Sequence, residues 1–193
     1  YGRVIKIPDN NMDFATASTL PIALATMHNA IVTIGNFSKG QTILIQGASS
    51  GVGLMGLQIA KHLGAKLVIG TSTKPEKFGK LKSIGADLVV NSKDKDWVDH
   101  VLQVTNNEGV DLIIDQLSGY TINENMRASK VKGTIVNVGR LAGGNTEFNC
   151  DLHALRRINY HGVTFRTRSI KEIREVYSKM WTDLRGLVAT GKL

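Results

Sequence analysis

Apolar positions along the chain fall into two rhythms, short β-branched runs and longer segments with helical spacing. The clearest pair lies at residues 42–64. Thr42-Ile43-Leu44-Ile45 is an apolar run of the kind buried in a parallel sheet. Gln46-Gly47-Ala48-Ser49-Ser50-Gly51-Val52-Gly53 follows as a turn rich in small residues. Val52, Met55, Ile59, Ala60 and Leu63 then recur at helical spacing as far as Gly64, the predicted C-cap. The alternation repeats downstream. Strands are predicted over residues 66–70, 87–90, 111–114, 133–138 and 162–165. Helices are predicted over residues 75–83, around Trp97, Val98, Val101 and Leu102, and over 121–129, 152–156 and 170–189. The last carries Ile173, Val176, Tyr177, Met180, Leu184 and Leu187 on one side. Upstream, residues 1–8 alternate apolar and polar and read as a strand, and residues 11–35 read as a helix interrupted at Pro21.

Strands alternating with helices imply a parallel sheet covered on both faces. Six of them fit an α/β, doubly wound six-stranded parallel sheet, the Rossmann fold, in the order 3-2-1-4-5-6 with right-handed crossovers. No low-complexity linker and no short repeat breaks the pattern.

The turn at residues 46–53 suggests the chemistry. Small residues let a backbone approach a diphosphate. The first turn of the following helix offers unpaired N–H groups and the positive end of its dipole. The spacing G-x-G-x-x-G is not met literally: aligned on Gly53, the first two glycine places hold Ala48 and Ser50. Gly51 and Gly53 remain, where close approach and helix–sheet packing need them. A carboxylate at the end of the second strand would bind the adenine-ribose hydroxyls of NAD. The chain instead reads Gly70-Thr71-Ser72-Thr73-Lys74-Pro75-Glu76-Lys77. Hydroxyls and two lysines suit a 2′-phosphate, so NADP(H) is the expected cofactor. Ordinary helix-face lysines are the other reading of Lys74 and Lys77.

Composition narrows the partners. At 193 residues the chain is one domain, or one domain with a piece of another. Apolar residues make up 42%, enough for a core, and no run of about 18 apolar residues marks a membrane span. Twenty-four Lys and Arg against 16 Asp and Glu give a formal charge of +8. The basic residues are spread through the chain rather than gathered with aromatics, so no nucleic acid is expected. Cys150 stands alone, which excludes a disulfide framework and fits a cytoplasmic setting. His28, His62, His100, His153 and His161 show no metal-ligand spacing, and no metal site is expected.

The Ala48-Ser49-Ser50-Gly51-Val52-Gly53 turn resembles short-chain dehydrogenases, which require a Tyr-x-x-x-Lys pair. Four residues beyond Tyr1, Tyr120, Tyr160 and Tyr177 stand Ile5, Glu124, Thr164 and Trp181, so that family is excluded. Other motifs point elsewhere. They are Leu20-Pro21 and Thr26; Lys39-Gly40-Gln41-Thr42-Ile43-Leu44-Ile45; Gln58-Ile59-Ala60-Lys61; and Ile84-Gly85-Ala86-Asp87. Gly109-Val110-Asp111, Asp115 and Val138-Gly139 follow. Together they resemble the cofactor domain of the medium-chain dehydrogenase/reductase superfamily nearly end to end. Gly162-Val163-Thr164-Phe165-Arg166-Thr167-Arg168-Ser169 is similar to the zinc-free quinone oxidoreductase branch.

The resemblance implies an NADPH-dependent reduction of quinones or α,β-unsaturated carbonyl compounds by hydride transfer. It places Thr26 near the nicotinamide and Ser50, Gly51, Val52 and Gly53 around the diphosphate. Ser72, Thr73 and Lys77 would meet the 2′-phosphate. Ser92 stands where the family often has a cofactor-stacking Tyr. Leu117 would line the adenosine side, and Val138, Gly139, Phe165 and Arg166 would border the nicotinamide. Asp115 is read as structural or cofactor-proximal, and no catalytic residue is assigned. Relatives that bind zinc place a ligand where this chain has Ile22, which cannot bind a metal. Residues 1–35 read as a remnant of a GroES-like catalytic domain with a connecting helix, and residues 36–193 as the dinucleotide-binding domain. A homodimer joined through sheet edges near residues 162–165 is the expected assembly. Enoyl reductase, zinc-free alcohol dehydrogenase, and a non-catalytic nucleotide- or nucleic-acid-binding module are the alternatives.

Overall fold

The computed structural model describes residues 5–7 and 12–193. Most of the strand expected over residues 1–8 falls outside that range. Within it, residues 5–7 are neither helix nor strand.

Helix α1 (Phe14–His28) begins at Asp13, whose carboxylate accepts the Thr16 N–H at 2.7 Å. It runs on through Pro21 and passes into a π-helical turn, Asn29–Ile34. The interruption expected at Pro21 is therefore absent. A proline inside a helix costs about 3 kcal/mol. Beyond it, Leu24, Met27 and Ile31 are fully buried, and each such side chain contributes roughly 1.5–3 kcal/mol, so core packing outweighs the lost hydrogen bond. Contrary to the sequence reading, the stretch Phe14–Ile34 is long and apolar enough to cross a membrane by length and composition alone. Its inward face lies in the protein core, with Leu24, Ala25, Met27, Ala30 and Ile31 against the sheet and its neighbouring helix.

The sheet has six parallel strands: β1 (Thr42–Ile45), β2 (Leu67–Thr71), β3 (Leu88–Val90), β4 (Val110–Asp115), β5 (Ser129–Asn137) and β6 (Asn159–Gly162). Their order is β3-β2-β1-β4-β5-β6, as the alternation of elements implies. The remaining helices are α2 (Gly51–His62), α3 (Phe78–Ile84), α4 (Trp97–Val104), α5 (Ile122–Ala128), α6 (Cys150–Arg156) and α7 (Ile170–Ala189). Side chains alternate along β1: Ile43 and Ile45 join one apolar layer with residues of α1, α2 and α7, and Leu44 joins the other with residues of α4 and α5. Each face of the sheet thus carries its own core. The register of β1 on β4 is pinned by Asp111, whose Oδ2 accepts from both the Thr42 N–H and its hydroxyl at 2.8 Å.

Two strands differ from the pattern-based reading. β5 starts four residues early, at Ser129, and shifts register against β4 between Val110 and Leu112. The sixth strand is not residues 162–165 but Asn159–Gly162, paired on Thr134 to Asn137. It lies at the edge of the sheet with mostly exposed side chains, so burial did not select apolar residues there. Val163, the apolar residue that suggested a strand, is buried just past its end. The helix expected over 75–83 splits into a 3₁₀ turn, Pro75–Lys77, and α3.

Candidate nucleotide-binding site

Because all six strands are parallel, every loop that leaves a strand's carboxyl end emerges on one edge of the sheet. Ser50 follows β1, Ser72 follows β2, Ser92 follows β3, Leu117 follows β4, Val138 and Gly139 follow β5, and Phe165 and Arg166 follow β6. Ligands of open α/β sheets bind along this edge, at the place where strand order reverses. Here that place lies between β1 and β4.

The β1–α2 turn is built at that point. Gly47 has φ +66°, a conformation that favours glycine. Ser50 caps α2: its Oγ accepts the Gly53 N–H at 3.0 Å and donates to the Gly47 carbonyl at 2.9 Å. The closest packing is at Gly53. A Cβ there would stand 2.6 Å from the Gly47 carbonyl oxygen and 2.7 Å from the Ala48 Cα. Gly51 is the opposite case, exposed, with nothing within 4 Å of an added Cβ. Among the described residues, no hydrogen bond uses the Gly51 or Val52 N–H. A twelve-residue helix thus opens on free space with its first donors unspent, and glycines let a ligand come close. This arrangement fits a diphosphate.

Beneath the turn lies a buried polar network that pattern reasoning missed. The Thr71 hydroxyl accepts the Gly47 N–H at 3.0 Å and donates to Gln46 Oε1 at 2.7 Å. Gln46 Nε2 donates to Asn125 Oδ1 at 2.6 Å, and Gln116 Nε2 donates to the Gln46 carbonyl at 2.9 Å. Ser50 Oγ lies 3.1 Å from Gln116 Oε1, which links the network to the helix cap. The usable signal was position: Gln46, Thr71 and Gln116 stand at or just past the carboxyl end of an apolar strand run, where a buried polar group needs a partner.

The structure brings several predicted residues together around this centre. Leu117 lies beside Gly47, its Cδ2 3.3 Å from where a Gly47 Cβ would stand. Ser72 is buried, and its Oγ meets Ser49 Oγ at 3.2 Å. Gly139 packs on Gln116: an added Cβ would be 2.6 Å from the Gln116 carbonyl oxygen. Ser92 is buried and hydrogen-bonds through Oγ with the hydroxyl of Tyr120 at 3.3 Å. Thr73 is exposed and Lys77 half-buried on the 3₁₀ turn after β2, with Glu76 exposed beside it. Val138 is half-buried, and its N–H donates to the Asp115 carbonyl at 2.8 Å. Thr26 lies on α1 rather than at a strand end. Phe165 is half-buried, and Arg166 is exposed with its N–H on Thr164 Oγ1.

Asp115 ends β4 fully buried. One of its oxygens accepts the Leu117 and Ser118 N–H groups, each at 2.9 Å, while the other makes no hydrogen bond. Burial pushes its pKa up, against the pull of those two N–H groups, the nearby Asn125 amide and the Arg140 charge. The carboxylate shapes the β4 loop and so supports the site from below.

His28 is buried too. Its Nε2–H donates to Asp183 of α7 at 2.8 Å, and Nδ1 has no partner. Burial lowers its pKa in spite of Asp183 and so favours the neutral ring. Asp183 is held below its usual value: burial acts upward on it, but His28 and Lys179 together outweigh that. Cys150 is an exposed thiol.

Residues 51–182 match the family described as "Zinc-binding dehydrogenase". Among the described residues, no three His, Cys, Asp or Glu stand close enough to hold a metal ion. A highly reducing polyketide synthase from Didymella fabae is 34% identical over 137 residues, 70% of this chain and 7% of that protein. The solved CurK enoyl reductase is similar over 100% of this chain and 56% of its own, with a TM-score of 0.82 and 25% identity. A Pseudomonas syringae quinone oxidoreductase shares the fold, with a TM-score of 0.84 at 24% identity over 100% of this chain and 58% of its own. The chain thus spans a little over half the length of these solved structures and a small part of the synthase. Matched over most of its length, and with its sheet ordered β3-β2-β1-β4-β5-β6, the chain belongs to the zinc-binding dehydrogenase family of the medium-chain dehydrogenase/reductase superfamily.

Proposed function

We propose that this chain is the cofactor-binding part of an NADPH-dependent reductase acting on a C=C bond conjugated to a carbonyl group, with enoyl compounds favoured over quinones. The observation that carries the reading is the open end of α2 at Gly51, where unspent N–H groups and an absent side chain leave a seat for a diphosphate. The bias towards enoyl compounds rests on the relatives, which include reducing polyketide synthases and an enoyl reductase.

In this reading Ser50, Gly51, Val52 and Gly53 hold the diphosphate. Ser72, Thr73 and Lys77 contact the 2′-phosphate, which selects NADPH over NADH because no carboxylate directly follows β2. Ser92 and Leu117 lie on the adenosine side. Thr26, Val138, Gly139, Phe165 and Arg166 surround the nicotinamide and fix which face it presents. When bound, the nicotinamide supplies the hydride; the chain's residues bind, orient and exclude water. The exposed edge of β6 joins a second copy of the chain in a homodimer.

The test is a titration of the chain with NADPH and NADH, followed by a panel of enoyl thioesters, enones and quinones on the enzyme that contains it. Tighter binding of NADPH, its advantage shrinking in Lys77→Ala, is the expected result. Equal binding of the two cofactors would remove the 2′-phosphate assignment. Turnover of quinones alone would replace the enoyl reading with the quinone one.

A further inference from the structure

The loop from β6 to α7 is fixed at both ends. The Val163 N–H donates to the Asn137 carbonyl at 2.9 Å. At the other end Ser169 and Glu172 form a reciprocal capping box on α7. Between them one side chain does most of the holding. Arg168 Nε donates to the Thr164 carbonyl at 3.1 Å, and its guanidinium lies 5.1 Å from the centre of the Phe165 ring. Tyr177 of α7 also packs on Phe165, in a T-shaped contact with ring centres 6.5 Å apart. Arg168 Nη2 then reaches across to α1, 3.5 Å from Asn29 Oδ1.

Asn29 is fully buried and starts the π-helical turn. Its Nδ2 has no partner, so Arg168 supplies the hydrogen bond its side chain makes. Asn29 stands three residues after Thr26, on the same face of the helix. No carboxylate among the described residues lies within ion-pair distance of the guanidinium. Its charge is directed at an aromatic ring, a carbonyl and an amide. A planar, five-donor group suits that three-way contact better than an ammonium.

We infer that Arg168 is a positioning residue that joins the loop carrying Phe165 to the helix carrying Thr26 and so sets the width of the nicotinamide seat. The inference rests on the cofactor reading above. It acts only at the nicotinamide end, because the phosphate seat at α2 is held by contacts of its own, the Ser50 cap and the close packing of Gly53.

The test compares NADPH with 2′-phospho-ADP-ribose, which keeps the diphosphate and the 2′-phosphate and lacks the nicotinamide. Arg168→Met should weaken NADPH about fivefold, the loss of one weak charged hydrogen bond and a stacked cation. It should leave 2′-phospho-ADP-ribose binding within about twofold, since Arg168 makes no contact with residues 47–53. Phe165→Leu should give the same split, the double variant should lose less than the two single losses combined, and Arg168→Lys should recover part of the loss. Phe165→Leu also carries the test should Arg168→Met fail to fold. Equal losses for both ligands, or no loss of NADPH affinity, would overturn the inference. So would wild-type chain that binds the two ligands equally well, although the cofactor reading would then stand. Wild-type chain that binds neither ligand would remove the cofactor reading and this inference with it.

Discussion

The β1–α2 turn and the β6–α7 loop face the same edge of one sheet, yet they are held in different ways. The turn is held through its backbone: Gly53 packs against Gly47 and Ala48, and the Gly47 and Gly53 N–H groups are taken by the Thr71 and Ser50 hydroxyls. The loop is held by a stack of side chains, Tyr177, Phe165 and Arg168. Backbone packing tolerates no added atom, whereas stacked side chains tolerate substitution at a graded cost. On the proposed cofactor reading, the diphosphate end of the site is the rigid end and the nicotinamide end the adjustable one.

The largest effect should come from Gly53→Ala. Its Cβ would press on backbone that cannot move aside, at a cost of about 3 kcal/mol, and nucleotide binding should disappear. Gly51→Ala is the control two residues away. It meets nothing in the protein, so thermal stability should hold or rise slightly while nucleotide affinity falls. Denaturation and titration of the pair check this. A Gly53→Ala protein as stable as wild type would collapse the contrast.

Next in size is Gln46→Leu, which strips side-chain partners from Thr71 and Asn125. Leaving buried polar groups unpaired should cost about 2 kcal/mol, read as a lower denaturant midpoint with an unchanged slope. Asp115→Asn should act in the opposite direction. Oδ1 can still accept from Leu117 and Ser118, and the buried charge is gone, which should raise stability by roughly 1 kcal/mol at pH 7. The folded pKa of Asp115 lies above its ordinary 3.8. Between those two values the native state holds the extra proton, so wild-type stability rises as pH falls and the variant's advantage should shrink. An advantage that does not change with pH would assign the gain to something other than the charge.

The smallest effect is at His28. Its folded pKa lies below the ordinary 6.5, so the unfolded chain takes up the proton first. The stability from the neutral, buried ring is complete above that value and is lost as pH falls below it. The groups facing it are Asp183 and Lys179. Thermal scans from neutral to mildly acidic pH should show this slope in wild type, and it should flatten in His28→Gln, which keeps a donor for Asp183 but does not titrate.

The two regions also differ in how far the sequence discloses them. β1, its glycine turn and α2 are local: an apolar run, small residues, then helical periodicity. α7 likewise shows its apolar stripe, of which Ile173, Val176, Met180 and Leu184 are buried. What stayed hidden depends on distant contacts. Pro21 reads as a break until the burial of Leu24, Met27 and Ile31 is known. Asn159, Tyr160, His161 and Gly162 carry no strand pattern, because an edge strand with exposed side chains does not need one. The polar floor of the site joins Gln46, Thr71, Gln116 and Asn125 from four separate segments, and spacing along the chain cannot reveal that.

The turn also divides its amides into two classes within seven residues. Those of Gly47, Ala48, Ser50 and Gly53 are already paired inside the protein, while those of Ser49, Gly51 and Val52 make no hydrogen bond there. In deuterated water the first group should exchange slowly and the second quickly. A bound anion would slow only the second, and the sheet beneath would keep its exchange rates.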